Sequence, residues 1–242
     1  MADITYIYHI IFALLPSVIW LTFYLLKDKN PEPKGMIVKV FFWGMAFAVV
    51  VASFEILVLR FIKFAYPELN QEGIWFLVFK LFIIVALVEE LAKYLIVRYS
   101  ALFSSAVDEP LDIMLYFVVC ALGFAAIENL LIMTLAIESF SFIVGLEFSF
   151  LRFIGATLLH TLASGVFGFF VAMSFYYKKN RKKLFFVGFL LAVLVHGFYN
   201  LAIVNLSDFA QIMAPAAILI ALIIFTSIAF MKLRKLKGVC RN

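Results

Sequence analysis

Charge is scarce in this chain. Only 14% of its 242 residues are Asp, Glu, Lys or Arg, while 66% are hydrophobic and the mean hydropathy is +1.11. A soluble domain carries about 25% charged residues and is about half apolar, so a soluble globule of this size is excluded. Cysteine is nearly absent. Cys120 lies in an apolar run and Cys240 in a basic tail. Two such distant thiols exclude a disulfide framework and a cysteine-based metal site. The N-terminal MADITYIYHII lacks a basic leading region, and no small-residue cleavage site comes after it, so it reads as a first span rather than a removed signal. No linker or repeat marks a second domain. The net charge of +5 comes from basic residues grouped at the ends of apolar runs, which points to membrane topology and away from nucleic acid.

Seven apolar segments are each long enough for the roughly 20 helical residues that cross a bilayer. They lie near 4–26, 36–63, 73–98, 111–136, 150–177, 184–206 and 211–231, joined by short connections such as KDKNPEPKG, ESFSFIVGLEFS and KKNRKK. The fold class is an all-α polytopic membrane bundle of about seven transmembrane helices, a single domain over 1–242. Lys27, Lys29 and Lys34 follow the first span and Arg98 the third. Lys178, Lys179, Arg181, Lys182 and Lys183 follow the fifth, and Lys232, Arg234, Lys235, Lys237 and Arg241 the seventh. With seven spans all four groups, 14 of the 20 basic residues, fall on one side. Arg60 and Lys63 mark the other side, with Glu68, Glu72, Glu138, Glu147 and Asp208. The positive-inside rule then sets the N-terminus outside and the C-terminus in the cytoplasm.

Against this background, ionisable residues inside spans stand out, because a charge at mid-bilayer costs about 2.5–3.5 kcal/mol on insertion scales. The third span reads ALVEELAKYLIV. Glu89 and Glu90 are adjacent, and Lys93 lies on the face of Glu89, four residues on. An ion pair explains one glutamate and leaves the other. Two close carboxylates need a shared proton or a cation. The fourth span opens at VDEPLD, with Asp108 as the expected N-cap and Pro110 in the first turn. It continues to GFAAIENLL, where Glu128 and Asn129 come after Gly123, Ala125 and Ala126, residues small enough for another helix to approach. In the fifth span His160, Ser164 and Gly168 recur at spacing four and share a face. In the sixth, His196 and Asn200 are one turn apart. Each feature alone is also explained by hydrogen bonding between packed helices. His9 is expected to face the membrane interface, and His9, Glu55 and Arg152 receive no catalytic role.

Taken together, four consecutive spans carry Glu, Glu, Glu, His and His, a set that suits metal ligation with a general base, or water activation by Glu and His. Depths estimated from the span boundaries place Glu89 and Glu90 nearer the cytoplasmic half and Glu128 and His160 nearer the outer half.

The motifs EELAK at 89–93, GFAAIEN at 123–129, HTLASGVFG at 160–168 and HGFYN at 196–200 resemble, in order, those of the PrsW family of intramembrane proteases, relatives of the type II CAAX prenyl endopeptidases. PLD at 110–112 and LRF at 151–153 add to the likeness, which covers about 75–205. The resemblance implies hydrolysis of a peptide bond in a membrane-anchored protein substrate, such as an anti-sigma factor, by a multi-pass protein of a prokaryotic cell membrane. It implies essential roles for Glu89, Glu90 and His196. It is compatible with two mechanisms. In one, without metal, Glu89 or Glu90 is the base, and His196 with Asn200 forms the oxyanion hole. In the other, zinc is held by a set drawn from Glu90, Glu128, His160 and His196, and a further carboxylate deprotonates water. The CAAX branch has a histidine where this chain has Glu128 and lacks His160, which tilts the reading toward zinc. Lys93 and Asn129 are supporting residues. The partners are the substrate and the lipid bilayer, with no nucleic acid. The alternatives are a non-catalytic membrane scaffold or substrate-binding subunit with a polar core, and an ion or proton transporter.

Overall fold

A computed structural model describes residues 2–28, 30–135 and 141–236. Lys29, Glu138, Lys237, Cys240 and Arg241, used above for topology and thiol chemistry, lie outside the described residues. Every regular element among those described is helical: α1 (Ala2–Lys27), α2 (Lys34–Ala65), α3 (Ile74–Phe79), a π-helical stretch (Lys80–Ala86), α4 (Leu87–Ser100), α5 (Pro110–Leu135), α6 (Phe142–Ile154), α7 (Ala156–Tyr176), a short 3₁₀ turn (Lys178–Asn180), α8 (Arg181–Asn205) and α9 (Asp208–Leu233). Pro31 and Pro33 punctuate the connection from α1 to α2, since proline lacks the N–H a helix interior needs; Pro33 caps α2 at φ −55° and ψ 120°.

Among the described residues, six helices are long and apolar enough to cross a membrane: Ile7–Lys27, Lys34–Ala65, Pro110–Leu135, Phe142–Tyr176, Lys178–Asn205 and Asp208–Leu233. The remaining expected span, 73–98, is the unit α3–π–α4. It is helical from 74 to 100, but Lys80, Glu89, Glu90, Lys93 and Arg98 keep it out of the apolar class. The expected loop ESFSFIVGLEFS is helical from Phe142 onward, capped by Ser141, whose side chain accepts from Val144 N. The break comes instead at Gly155, where φ −108° and ψ −102° separate α6 from α7. A side chain there would meet the Leu151 carbonyl and the Tyr199 hydroxyl, each at 2.7 Å. The extra helix also corrects the reading of His9, which is buried against Gly145 of α6 rather than facing the interface.

The core sits around α5. This helix is hydrophobic all round, and 94% of its apolar window is buried, against 11% for α2, which therefore turns most of its surface to lipid. α1, α2 and α7 pack directly on α5, with α8 and α9 against α7. Lipid tails are as apolar as leucine, so helices in a bilayer associate through close packing. Glycines set two of these approaches. A Cβ at Gly44 would strike the Cys120 carbonyl, and one at Gly123 would strike the Phe41 carbonyl, so α2 and α5 cross backbone to backbone. Gly168 meets Met114 and Phe117 in the same way, at 2.9 and 3.0 Å, drawing α7 onto α5. The start of α5 differs from expectation. Asp112, not Asp108, caps it: Asp112 Oδ2 accepts from the backbone N–H groups of Asp108 (2.9 Å) and Glu109 (2.6 Å). Asp112 is the third helical residue, and its reach back to the N–H of Glu109, the residue before the helix, is the returning half of a capping box.

Candidate active site

The π-helical stretch Lys80–Ala86 ends just before the paired glutamates. A π-helix carries an extra residue per turn and so rotates the helix beyond it, here the face that bears Glu89 and Glu90. Phe82, within it, packs onto Gly197, where a Cβ would come within 2.5 Å of the ring. α8 is thus held close to α4, with His196 next to the contact.

Glu89, Glu90, Lys93, His160 and His196 are all buried, with exposures of 2% or less. Lys93 lies among them. Its Nζ donates to Glu90 Oε1 at 2.7 Å, to Glu89 Oε2 at 3.4 Å and to His160 Nδ1 at 2.9 Å. An ammonium group only donates, so His160 Nδ1 accepts and its Nε2–H donates to Glu128 Oε2, at 2.9 Å. On the other side, His196 Nδ1–H donates to Glu90 Oε1 at 3.0 Å, which leaves the Nε2 lone pair free. Each imidazole is therefore oriented from behind by a carboxylate, Glu128 for His160 and Glu90 for His196. The rings stand edge to face with centroids 4.9 Å apart.

The ring nitrogens turned away from these carboxylates both lie near Glu89, although His160 Nδ1 also accepts from Lys93. His160 Nδ1 is 3.6 Å and His196 Nε2 3.9 Å from Glu89 Oε2. One donor atom from each of Glu89, His160 and His196 lies within 4.8 Å of the other two. Tetrahedral zinc at bond lengths of 2.0–2.2 Å holds its donors about 3.4 Å apart. The two gaps to Glu89, 3.6 and 3.9 Å, are close to that value, and with all three donors within 4.8 Å of one another the set closes on a metal by side-chain adjustment. Two imidazoles and a carboxylate also form a donor set of catalytic zinc, and each imidazole has the acidic partner behind it that zinc-bound histidines use. The residues fit the metal, provided Lys93 swings away from His160 onto Glu90.

The glutamates of the pair are not equivalent. Glu90 is fully held, by Lys93, by His196 and by Ser164, whose Oγ donates to Oε2 at 3.2 Å. Glu89 makes only the longer contacts and lines a small cavity of about 40 Å³ together with Glu55 of α2 and Glu128 of α5. That is room for water, which needs about 10–15 Å³. Glu55 Oε1 is buried there with no hydrogen-bond partner among the described residues.

Glu128 also pairs with Arg152 Nη2 at 2.7 Å, and Arg152 Nε donates to Asn129 Oδ1. Asn129 in turn donates to the Ala13 carbonyl (3.2 Å) and to Thr157 Oγ1 (3.1 Å), tying α5 to α1 and α7. Asn200 stands apart. It is half-buried, one turn beyond His196, and makes no side-chain hydrogen bond among the described residues.

The structure thus brings together Glu89, Glu90, Glu128, His160, His196 and Lys93, despite their unequal depths as estimated from sequence. Helical residues 142–149 move His160 to the middle of its unit, and the unit 74–100 likewise centres Glu89. Glu90 and Glu128, named with the metal ligands on sequence, stand behind the imidazoles. Glu89 takes the position facing them. Three further residues were given no such place: Arg152, Glu55 and the hydroxyl of Ser164. The first two carried a signal, a charge within a span. Ser164 shares the face of His160, and that spacing is the signal for it in the sequence.

The chain matches the family model described as PrsW family intramembrane metalloprotease over residues 32–229. It is 28% identical to Protease PrsW of Oceanobacillus iheyensis over 212 residues, 87% of this chain and 90% of that protein. It is 28% identical to Protease PrsW of Bacillus subtilis, covering 84% and 86% of the two chains. To that of Clostridioides difficile it is also 28% identical, covering 78% and 76%. No solved structure matches it significantly. With six apolar spans, a buried Glu–His cluster and a family match over most of its length, the chain belongs to the PrsW family of intramembrane proteases and is a multi-pass membrane enzyme.

Proposed function

We propose that the protein is a zinc-assisted intramembrane endopeptidase that cuts a membrane-anchored protein, with Glu89, His160 and His196 holding the metal. One observation carries this reading: two imidazoles, each oriented by its own carboxylate, bring a ring nitrogen to 3.6 and 3.9 Å from Glu89 beside a water-sized cavity. When bound, zinc would acidify water and polarise the scissile carbonyl. Glu90 and Glu128 fix the tautomers, holding protons on His196 Nδ1 and His160 Nε2. Lys93 balances the charge of Glu90. Of the carboxylates left on the cavity wall, Glu128 is occupied by Arg152 and His160. Glu55 is therefore the side chain free to take the proton of the attacking water, a role that places it with the general bases. Asn200, one turn beyond His196 on α8, is the donor available to the carbonyl oxygen.

A second reading rests on Lys93. Its Nζ touches Glu89, Glu90 and His160 at once, so the ammonium itself can serve as the cation of the site. In that case Glu89, facing the cavity, takes the proton from water without metal. The topology we adopt keeps the N-terminus outside and the C-terminus in the cytoplasm, with residues 1–242 as one transmembrane domain. A membrane-anchored anti-sigma factor is a substrate of the fitting kind.

The test is cleavage of a membrane-anchored reporter by purified protein in proteoliposomes. Wild type cleaves, and Glu89→Gln, His160→Ala and His196→Ala do not, while each variant still folds. Chelation stops the wild type in the zinc reading and leaves it active in the second. Full cleavage by all three variants would refute both.

A further inference from the structure

A second cavity, of about 400 Å³, lies between α1, α7 and α9. Its wall on α7 is Leu158 and Leu162. His160, midway between them, points to the opposite side of that helix. The cleft is therefore separate from the Glu–His cluster. It is apolar along its length and ends at two cations, Lys27 and Arg234. Each is carried on an aromatic ring of its own helix: Lys27 Nζ lies 5.4 Å from the Phe23 centroid, and Arg234 Cζ lies 5.8 Å from that of Phe230. No acidic side chain lines the cleft, and neither cation has an ion-pair partner among the described residues. Both are exposed at the helix ends where the basic residues gather.

We infer that this cleft binds one anionic phospholipid, its acyl chain along α7 and its phosphate between Lys27 and Arg234. The apolar lining, with Phe23, Ile223 and Met231 also exposed at the surface, suits an acyl chain lying along the helices. Charge decides the headgroup. Two cations at the membrane surface, without acidic neighbours in the lining, complement a headgroup of net negative charge rather than one whose phosphate is balanced by its own cation. Volumes of this order are typical of small-molecule sites.

Native mass spectrometry of the full chain, released from detergent after titration with phosphatidylglycerol or phosphatidylcholine, tests the assignment. The wild type is expected to retain one phosphatidylglycerol in preference to phosphatidylcholine. Lys27→Gln/Arg234→Gln lowers that affinity about 10- to 30-fold, the loss expected for two basic side chains at an anionic headgroup. Lys182→Gln/Lys183→Gln, which removes two exposed charges outside the cleft, leaves it unchanged. Ser227→Trp fills the cleft without altering charge and also abolishes retention. All variants carry surface changes, and their unfolding temperatures in lipid-free detergent should match the wild type. Equal losses in the two charge variants would mean general surface attraction and overturn the proposal. So would equal retention of both lipids, or full retention by Ser227→Trp. A wild-type dimer that the cleft variants convert to monomer, with lipid unaffected, would assign the face to a second copy and overturn it too.

Discussion

Replacing Lys93 with methionine removes the only cation that touches both paired glutamates among the described residues and keeps the volume. The ion pairs it makes are fully enclosed, with side-chain exposures of 0% for Lys93, 0% for Glu90 and 3% for Glu89. Solvent screening therefore gives little relief. Breaking a buried pair by deleting one partner costs about 3–5 kcal/mol, because the other charge is left uncompensated. At about 2–4 °C per kcal/mol for a chain of this size, the unfolding temperature falls by roughly 6–20 °C. The zinc reading adds a second expectation. A divalent cation at Glu89, His160 and His196 supplies the missing charge. Zinc at about 1,000 times its Kd contributes about 4 kcal/mol to a protein that binds it only when folded, enough to offset most of the loss. The assay is thermal unfolding of wild type and Lys93→Met in detergent, metal-free and with zinc. An unfolding temperature that is unchanged by the substitution would refute the role of Lys93 as the charge that holds the glutamates. A large loss that zinc leaves unrestored would refute the proposed metal position.

Three other perturbations test the same geometry. Glu128→Gln leaves His160 without its anionic partner and should lower zinc affinity or cleavage about 10- to 100-fold with the fold intact, measured by zinc titration and reporter cleavage. Gly123→Leu drives a side chain into the Phe41 carbonyl and should lower stability by about 1–3 kcal/mol or more, read as a drop in unfolding temperature, while Gly35→Leu, where nothing lies within 4 Å, should not. Glu32, in the connection between α1 and α2, is 8% exposed and accepts from Tyr116 Oη; burial pushes its pKa up. The folded state then binds this proton more tightly than the unfolded chain does. Its contribution is present at acid pH and is lost as pH rises from the ordinary carboxylate value through the raised one. Glu32→Gln should flatten that part of the profile of unfolding temperature against pH.

The membrane class, the helical content and the residues of the cluster were legible because a bilayer penalises charge. A Glu, His or Lys within an apolar run is costly there and so marks packing or function. The features that sequence left open have two physical sources. Span ends in a bilayer are set by packing as much as by hydropathy. Residues 142–149 thus read as a connection although they belong to α6, which covers His9, and the depth of His160 shifts with them. The division of labour within the cluster is a matter of side-chain direction. Glu89 and Glu90 are neighbours in sequence, but a helix turns about 100° between them. Only the positions of Ser164, His196 and the cavity show that Glu90 is clasped and Glu89 faces the cavity. The same holds for Arg152, which reads as a membrane-end charge and in three dimensions steadies Glu128. Asn200, one turn from His196, is the residue whose proposed role depends on substrate, since no described side chain engages it.

A metal held by Glu89, His160 and His196 is the central claim. Its most direct test is the zinc content of the purified full chain, measured by elemental mass spectrometry after loading and desalting, for wild type, His160→Ala, His196→Ala and Lys182→Gln. One zinc per chain in wild type and in Lys182→Gln, and none in either histidine variant, is the predicted result. A folded, proteolytically active wild type that retains no zinc would contradict it.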